Sequence, residues 1–188
     1  DLLSYTDSVP TLKYFGYDFF NRRDSILLLE NIAVTSVYVL GPGDEVIIHE
    51  PAWVSYPEQV RLCHGVPVLM PQSETPLNIE KYITDRTKAI VVNNPNNPRG
   101  LVMPEGELKH LHSVASRHDI YILSDEVYSD FLLDADEFHS CGQWDPAKEH
   151  SIICNSMSKN YGMSGWRIGY VITNPSLTSH ILKINQHL

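Results

Sequence analysis

The sequence predicts an α/β fold: a mostly parallel sheet with helices on both faces, in three layers. Short apolar runs alternate with helical patterns through the middle of the chain, which is typical of strands joined by crossover connections. These runs are rich in β-branched residues and nearly continuous in apolar character, which indicates strands buried on both faces. The 188 residues, 43% hydrophobic and 20% charged, are enough to build such a core.

Six strands and two helices are predicted. The strands span residues 45–49, 66–70, 89–93, 120–124, 151–155 and 167–173. Residues 104–118 place four apolar side chains on one helical face, with Pro104 at the expected first helical position, and form the crossover between the third and fourth strands. That apolar face consists of Leu108, Leu111, Val114 and Ala115. Residues 177–188 begin a second amphipathic helix.

Charge and cysteine usage exclude several classes of protein. A formal net charge of −9 argues against nucleic-acid binding, which concentrates Lys and Arg on one face. No stretch approaches the roughly 20 apolar residues of a membrane span, and residues 1–7 lack the cationic start of a signal peptide. Cys63, Cys141 and Cys154 are odd in number and lack metal-ligand spacing, which indicates reduced thiols. We therefore expect a cytoplasmic protein without a metal site.

Unusual polar and aromatic residues follow the carboxyl ends of several predicted strands, where open α/β sheets bind ligands. Trp53 follows the first strand and could stack on a planar ring. Asn97 lies in a rigid turn after the third strand, and Asp125 and Tyr128 follow the fourth. Each residue alone also fits a structural role as core filler, turn former, helix cap or amphipathic edge. Their shared placement favours a ligand site.

The run from Ser156 to Tyr170 has the residues that a pyridoxal phosphate site needs. Lys159 lies between hydroxyls, and Arg167 follows eight positions later with glycines around both. A lysine can form a Schiff base with the cofactor aldehyde, while hydroxyls and a guanidinium can hold a phosphate dianion. A lysine flanked by serines also occurs in ordinary solvated loops, so this pattern alone is weak.

Three motifs in order make the chain resemble the fold-type I pyridoxal phosphate enzymes, specifically the class I/II aminotransferases of the aspartate aminotransferase-like superfamily. The motifs are Asn97-Pro98-Arg99-Gly100, Ser124-Asp125-Glu126-Val127-Tyr128, and the run from Ser156 through Lys159 and Arg167 to Gly169. The resemblance covers most of the sequence. It implies the cofactor pyridoxal 5'-phosphate and, in such enzymes, a homodimer.

The resemblance also implies a role for each site residue. Lys159 would bind the cofactor as a Schiff base and move the proton at the substrate Cα, and Asp125 would pair with the pyridine nitrogen. Tyr128 and Asn97 would hydrogen-bond the ring phenolate. The remaining contacts would be Trp53, stacked on the ring, and Arg167 with Ser156, which would hold the phosphate.

The chain departs from the family pattern in three places. Residues 31–36 resemble the lead into the phosphate-binding glycine turn, but that turn and most of the helix after it are missing. Residues 9–16 also look shortened, and the family's small C-terminal domain would follow Leu188. We interpret residues 1–188 as the cofactor-binding large domain, either of a truncated homologue or, as we favour, of a longer polypeptide whose parts are joined end to end. Deleting a crossover from a real domain would uncover large apolar faces.

The function that follows is transfer of an α-amino group between an amino acid and a 2-oxo acid. The same cofactor residues also serve carbon-sulfur lyases and other α,β-eliminating enzymes, which are the alternative within enzymes. A noncatalytic binding or regulatory relative is the alternative from another class. Retention of Asn97, Asp125, Tyr128, Lys159 and Arg167 together speaks against it.

Overall fold

The structure is a computed structural model that describes residues 13–14, 17–18, 25–29, 39–133 and 137–185. The strands of these ranges are β1 (Lys13–Tyr14), β2 (Tyr17–Asp18), β3 (Ser25–Leu29), β4 (Glu45–His49), β5 (Val66–Met70), β6 (Thr87–Asn93), β7 (Tyr121–Asp125), β8 (Ser151–Ser156) and β9 (Gly169–Thr173). The α-helices are α1 (Ser55–Leu62), α2 (Glu105–His118), α3 (Met157–Asn160) and α4 (Pro175–Asn185). Shorter 3₁₀ turns span Pro76–Tyr82, Cys141–Trp144 and Ser164–Trp166.

Within these described ranges, the main sheet has seven strands in the order β3-β9-β8-β7-β6-β4-β5. The five strands from β5 to β8 pair in parallel, whereas β9 runs antiparallel to both β8 and β3. β1 and β2 form a separate antiparallel pair. The prediction of a mostly parallel α/β sheet is confirmed. The carboxyl ends of β4, β6, β7 and β8 consequently share one edge of the sheet.

Helices cover the sheet on both faces, as the three-layer prediction requires. Side chains alternate along β4, so Ile47 enters one buried cluster and Ile48 the other. Leu111 of α2 packs with Ile47, while Val60 of α1 and Ile181 of α4 pack with Ile48. All five side chains are at most 1% exposed. Burial of both faces explains why β4, β6, β7 and β8 are apolar along their length. The same prediction is wrong for β5, because this strand lies at the edge of the sheet and leaves Val66 and Leu69 about 40% exposed.

The predicted crossover helix is present, but it begins one residue later than predicted. All four residues of its predicted apolar face are buried. Pro104 has extended backbone angles (φ −60°, ψ 147°) and precedes α2, and its carbonyl accepts hydrogen bonds from Glu107 N and Leu108 N. Pro104 is thus the residue before the helix and not its first residue. Asp119 ends α2 in the left-handed conformation, with φ of 51°.

Other boundaries differ for local reasons. β9 begins at Gly169 and not at 167, because Arg167 has a left-handed φ of 55° after the Ser164–Trp166 turn and cannot continue a strand there. α4 begins at Pro175, before the predicted 177, and Asn174 Oδ1 accepts a hydrogen bond from Leu177 N at 2.9 Å. The sequence did not predict β3, α1 or the small pair of β1 and β2.

Several predictions concern residues outside the described ranges. These include the shortened link at 31–36, most of the shortened segment at 9–16 and the end of the last helix at 186–188. Over the part of the chain that the structure describes, no helix is long and apolar enough to cross a membrane.

Candidate active site

Three neighbouring strands bring the predicted site residues to one edge of the sheet. Asn93 at the end of β6 pairs in register with Asp125 at the end of β7, and Asp125 pairs with Cys154 of β8. The turns after these strands carry Asn97, then Tyr128, and then the short helix with Lys159. Parallel pairing therefore gathers residues that are far apart in sequence, as predicted.

Asp125 is a buried carboxyl group held by neutral donors. It is 8% exposed; Tyr56 Oη donates to its Oδ2 at 2.5 Å and Val127 N donates to its Oδ1 at 3.3 Å. Within the described residues, no ion pair involves Asp125. Burial raises the pKa of this carboxyl above its ordinary value, and the bonds from Tyr56 and Val127 oppose part of that rise. Each oxygen keeps a lone pair for another donor, so the group can still receive a cationic ligand.

Tyr128, Asn97 and Lys159 form a second group of polar atoms at this edge. Asn97 Nδ2 lies 3.4 Å from Tyr128 Oη, within hydrogen-bond distance. Lys159 Nζ lies 5.9 Å from the centre of the Tyr128 ring. Lys159 is exposed, while Tyr128 and Asn97 are half-buried. The structure thus brings an amine, a phenol and an amide together beside the strand that ends in Asp125.

Two buried asparagines hold the turn that presents Asn97. Asn93 Oδ1 accepts from Asn97 N at 2.6 Å, and Asn93 Nδ2 donates to the Asp125 carbonyl at 3.1 Å. Asn94 Oδ1 accepts from Met103 N at 2.8 Å, which closes the base of the loop. The sequence analysis did not assign Asn93 or Asn94. The signal was available, because two amides ending an apolar strand must find buried hydrogen-bond partners.

Trp53 and Tyr56 lie next to each other at the entrance to α1. Trp53 is 40% exposed, and its ring meets the Tyr56 ring edge to face at 5.4 Å between centroids. Tyr56 is buried. Burial is the main cause that raises the pKa of its phenol, and the nearby Asp125 carboxylate raises it further, so the hydroxyl remains a donor. The sequence analysis missed Tyr56, since no motif pointed to it.

Ser156 and Arg167 flank the lysine helix. Ser156 precedes α3; its Oγ accepts from Ser158 N at 3.0 Å and donates to Ile168 O at 3.3 Å. Arg167 is exposed, and its guanidinium donates to Ser164 O at 3.1 Å. The Ser156 hydroxyl therefore caps the helix and links it to the segment that carries Arg167. The Arg167 guanidinium has further N–H donors that could face a phosphate.

A cleft of about 400 Å³ borders this edge between the ends of β4 and β6. Tyr56, Asn93 and Arg99 line it, together with His49 of β4. Asp125, Tyr128 and Lys159 do not line it, so the cleft adjoins the predicted site and is not the site itself. Over the described ranges, no group of three or more His, Cys, Asp or Glu residues could hold a metal ion.

The fold and the site define a class: a three-layer α/β protein that presents a lysine and a buried carboxyl group, whose donors in the described ranges are neutral, at the carboxyl edge of a mostly parallel sheet. The chain belongs to the family of class I and II aminotransferases, whose model matches residues 29–188. This confirms the resemblance found in the sequence. The family is of the fold-type I class and uses pyridoxal phosphate.

Individual relatives agree with this family. The chain is 35% identical over 203 aligned residues to the aspartate aminotransferase of Bacillus sp. (strain YM-2), which covers 97% of this chain and 52% of that protein. It is 46% identical over 138 residues to the aspartate/prephenate aminotransferase of Thermus thermophilus, covering 70% of this chain and 35% of that protein. The crystal structure of an aromatic aminotransferase from Pyrococcus horikoshii OT3 superposes with a TM-score of 0.82 at 30% identity, over 89% of this chain and 48% of that one. The chain thus spans about half or less of these relatives' lengths.

Proposed function

We propose that the protein is a pyridoxal phosphate-dependent aminotransferase that moves an α-amino group between an amino acid and a 2-oxo acid. The observation that carries the proposal is the Asp125 carboxyl group, buried without a cationic partner in the described residues and adjacent to the turn that presents Tyr128, whose ring centre lies 5.9 Å from Lys159 Nζ. A buried carboxyl group left in this state is suited to a ligand that brings its own positive charge.

The donor set fits the cofactor. When bound, pyridoxal phosphate supplies an electron sink for the charge that develops at the substrate Cα. Asp125 would hold a proton on the ring nitrogen, and Tyr128 with Asn97 would donate hydrogen bonds to the ring oxygen. The Lys159 amine would attach the cofactor and carry the proton at the substrate Cα.

The remaining proposed contacts lie around this centre. Trp53 would cover one face of the ring. Arg167 would bind the phosphate, because a planar guanidinium can contact two oxygens at once. Ser156 would assist it, although its hydroxyl proton is already donated to Ile168 O, so its main contribution is to hold the start of α3.

Transamination is favoured over elimination because the relatives described above are all named as aminotransferases. We propose aspartate as the first amino donor to assay, since two of these names include it, followed by aromatic amino acids. A noncatalytic relative is disfavoured because a binding module does not need a lysine, a phenol and a buried carboxyl group at one edge of the sheet.

The test is the absorption spectrum of the purified protein with added pyridoxal phosphate, for the wild type, Lys159→Ala and Lys81→Ala. Lys81 is a surface lysine in the Pro76–Tyr82 turn and serves as the matched control. We expect a protein-bound visible band in the wild type and in Lys81→Ala, and none in Lys159→Ala. The band should convert to that of the pyridoxamine form on adding an amino donor, with one equivalent of 2-oxo acid formed.

Two results would contradict the proposal. Release of ammonia together with a 2-oxo acid over many turnovers, without an added amino acceptor, would indicate elimination. A wild-type protein with no Lys159-dependent band would indicate a noncatalytic relative.

We further propose that residues 1–188 correspond to the cofactor-binding large domain, with family segments absent near 9–16 and after Ser36. The alignment to the Bacillus relative supports missing segments, because it is 203 positions long although it covers 97% of a 188-residue chain and therefore contains gaps in this chain. Mass spectrometry of the protein isolated from its natural source would show whether it is longer. We also propose a cytoplasmic homodimer; Cys63, Cys141 and Cys154 form no disulfide, which agrees with a reducing compartment. Light scattering and cell fractionation test these two points.

A further inference from the structure

Glu126 is a buried carboxyl group with no role in the proposed reaction. It is 3% exposed, and its Oε1 accepts three hydrogen bonds. The donors are Ser124 Oγ at 2.9 Å, Ser140 Oγ at 2.8 Å and Cys141 N at 3.0 Å. Over the described residues Glu126 has no ion pair. Burying a carboxyl group without a cation opposes folding, so this arrangement requires an explanation beyond packing.

The segment that Glu126 holds, residues 138–142, also contacts the neighbouring turn of the site. The His139 carbonyl accepts a hydrogen bond from Asn94 Nδ2 at 3.2 Å. Asn94 lies at the start of the loop that presents Asn97. One segment therefore bridges the turn after β6 and the turn after β7.

The backbone of Glu126 fixes the second turn. Glu126 N donates to Cys154 O of β8 at 2.8 Å, and Ser129 N donates to Glu126 O at 3.1 Å. The turn that carries Tyr128 is thus closed on one side by Glu126 and attached to the strand that leads to Lys159. Asp125, the residue before Glu126, is held from the other face of the sheet by Tyr56 of α1.

We propose that Glu126 is a positioning residue: by holding residues 138–142 against the turns after β6 and β7, its carboxyl group fixes the side chains that face the cofactor ring. This inference rests on the proposed function. Displacements of about 1 Å among such groups are enough to reduce activity strongly.

Glutamine should replace Glu126 in this role. Burial raises the pKa of the Glu126 carboxyl to about 7, against the opposing effect of the bonds from Ser140 and Ser124. Both the neutral acid and the carboxylate accept hydrogen bonds at Oε1, and so does a glutamine carbonyl. Aspartate, one methylene shorter, cannot reach the same three donors from the same backbone position.

The experiment compares the wild type with Glu126→Gln, Glu126→Asp and Glu45→Asp. Glu45 is the matched control: it is also buried, but it lies at the start of β4 and binds Thr84 and Arg86. Hydrogen exchange of the cofactor-free protein is measured over peptides containing 94–100, 125–129 and 138–144. The dissociation constant for pyridoxal phosphate and the position of its bound visible band are measured in parallel.

We expect Glu126→Asp to accelerate exchange in all three peptides, to weaken cofactor binding about tenfold or more, and to shift the bound band. Glu126→Gln should stay within about threefold of the wild type in cofactor binding, and Glu45→Asp should leave the three peptides and the band unchanged. If Glu126→Asp does not fold, Ser140→Ala removes one donor and should give the same pattern at smaller amplitude.

Either of two outcomes overturns the inference: wild-type exchange in Glu126→Asp, or equal changes in Glu45→Asp, which would indicate general destabilisation. Failure of the proposed function is recognised separately, because the wild type would then show no Lys159-dependent band. The exchange pattern of the cofactor-free protein still decides whether Glu126 holds the two turns.

Discussion

Buried carboxyl groups have different hydrogen-bond partners at the two ends of the parallel strands in the main sheet. We call these ends the amino edge, where the strands begin, and the carboxyl edge, where they end. At the amino edge, Glu45 is 4% exposed and accepts hydrogen bonds from Thr84 Oγ1, at 2.6 Å, and from the Arg86 guanidinium. At the carboxyl edge, Asp125 and Glu126 are equally buried, but their assigned donors are hydroxyls and backbone amides. Neither has a cationic partner in the part of the chain that the structure describes.

This difference indicates a structural role for the carboxyl group at the amino edge and a ligand-binding role for the site at the carboxyl edge. A carboxylate paired with arginine is already compensated and has little left to offer a ligand. A buried carboxyl group with only neutral donors lies in an environment that raises its pKa, and a bound cation would relieve that unfavourable situation. The buried carboxyl groups at the carboxyl edge therefore lower the stability of the free protein, and binding of a cationic ring would restore part of that stability.

The largest expected effect comes from removing the charge of Asp125. Asp125→Asn keeps the shape but cannot stabilise a proton on the ring nitrogen, so kcat/KM for transamination should fall by about 10³-fold. Steady-state assays with aspartate and a 2-oxo acid measure this loss. Glu45→Gln, the equivalent change at the amino edge, should remain within about twofold. A loss of less than tenfold in Asp125→Asn would show that the reaction does not depend on the charge of this buried carboxyl group.

The second effect concerns pH and Glu126. Its folded-state pKa of about 7 lies above its ordinary value of 4.5, so folding takes up a proton between these values. The stabilisation is complete below about pH 4.5 and is lost as the pH rises through 7. Glutamine does not titrate. The free energy of unfolding of Glu126→Gln minus that of the wild type should therefore rise by about 3 kcal/mol from pH 4 to pH 9.

Urea denaturation across this pH range measures the difference. Asp125, whose pKa is also raised, remains in both proteins, so its contribution cancels in the comparison to first order. A difference between the two proteins that does not change with pH would show that Glu126 does not titrate in this window.

The third prediction concerns one of the neutral donors to Asp125. Tyr56→Phe deletes the hydroxyl that donates to Asp125 Oδ2, which should raise the pKa of Asp125 further and leave its carboxylate less well positioned. We expect about a tenfold loss in kcat/KM, with a loss of about 1 kcal/mol in the free energy of unfolding. Kinetics and denaturation of the same preparation test both values. Tyr121→Phe, at the start of β7, is a control that should leave kcat/KM unchanged.

The smallest effect is expected at the compensated edge. Arg86→Gln removes the cationic partner of Glu45, but Arg86 is 67% exposed, so solvent already weakens the pair. The free energy of unfolding should fall by about 1 kcal/mol or less, and cofactor binding should not change. A loss of cofactor binding in this variant would mean that the two edges are not independent.

Much of the architecture could be predicted because it depends on local patterns. The bounds of β4 and β5 agree with the predicted 45–49 and 66–70. For β4 the reason is that burial of both faces requires a continuous apolar run. The buried face of α2 was also predicted by its helical periodicity. The start of β9 was predicted two residues too early, because the hydropathy pattern does not reveal the left-handed backbone conformation of Arg167.

By itself, the sequence determined the family, the order of the strands along the chain and the side chains at the ends of β6, β7 and β8, because motifs and periodicity are local properties. Only the tertiary structure decided which groups surround them. Tyr56 and Asp125 are 69 positions apart, and Ser140 reaches Glu126 from a different segment. The presence or absence of a counter-charge at a buried carboxyl group depends on such distant neighbours. The local motif therefore marks Asp125, but it does not show that Glu45 pairs with Arg86 while the described donors to Asp125 and Glu126 are neutral.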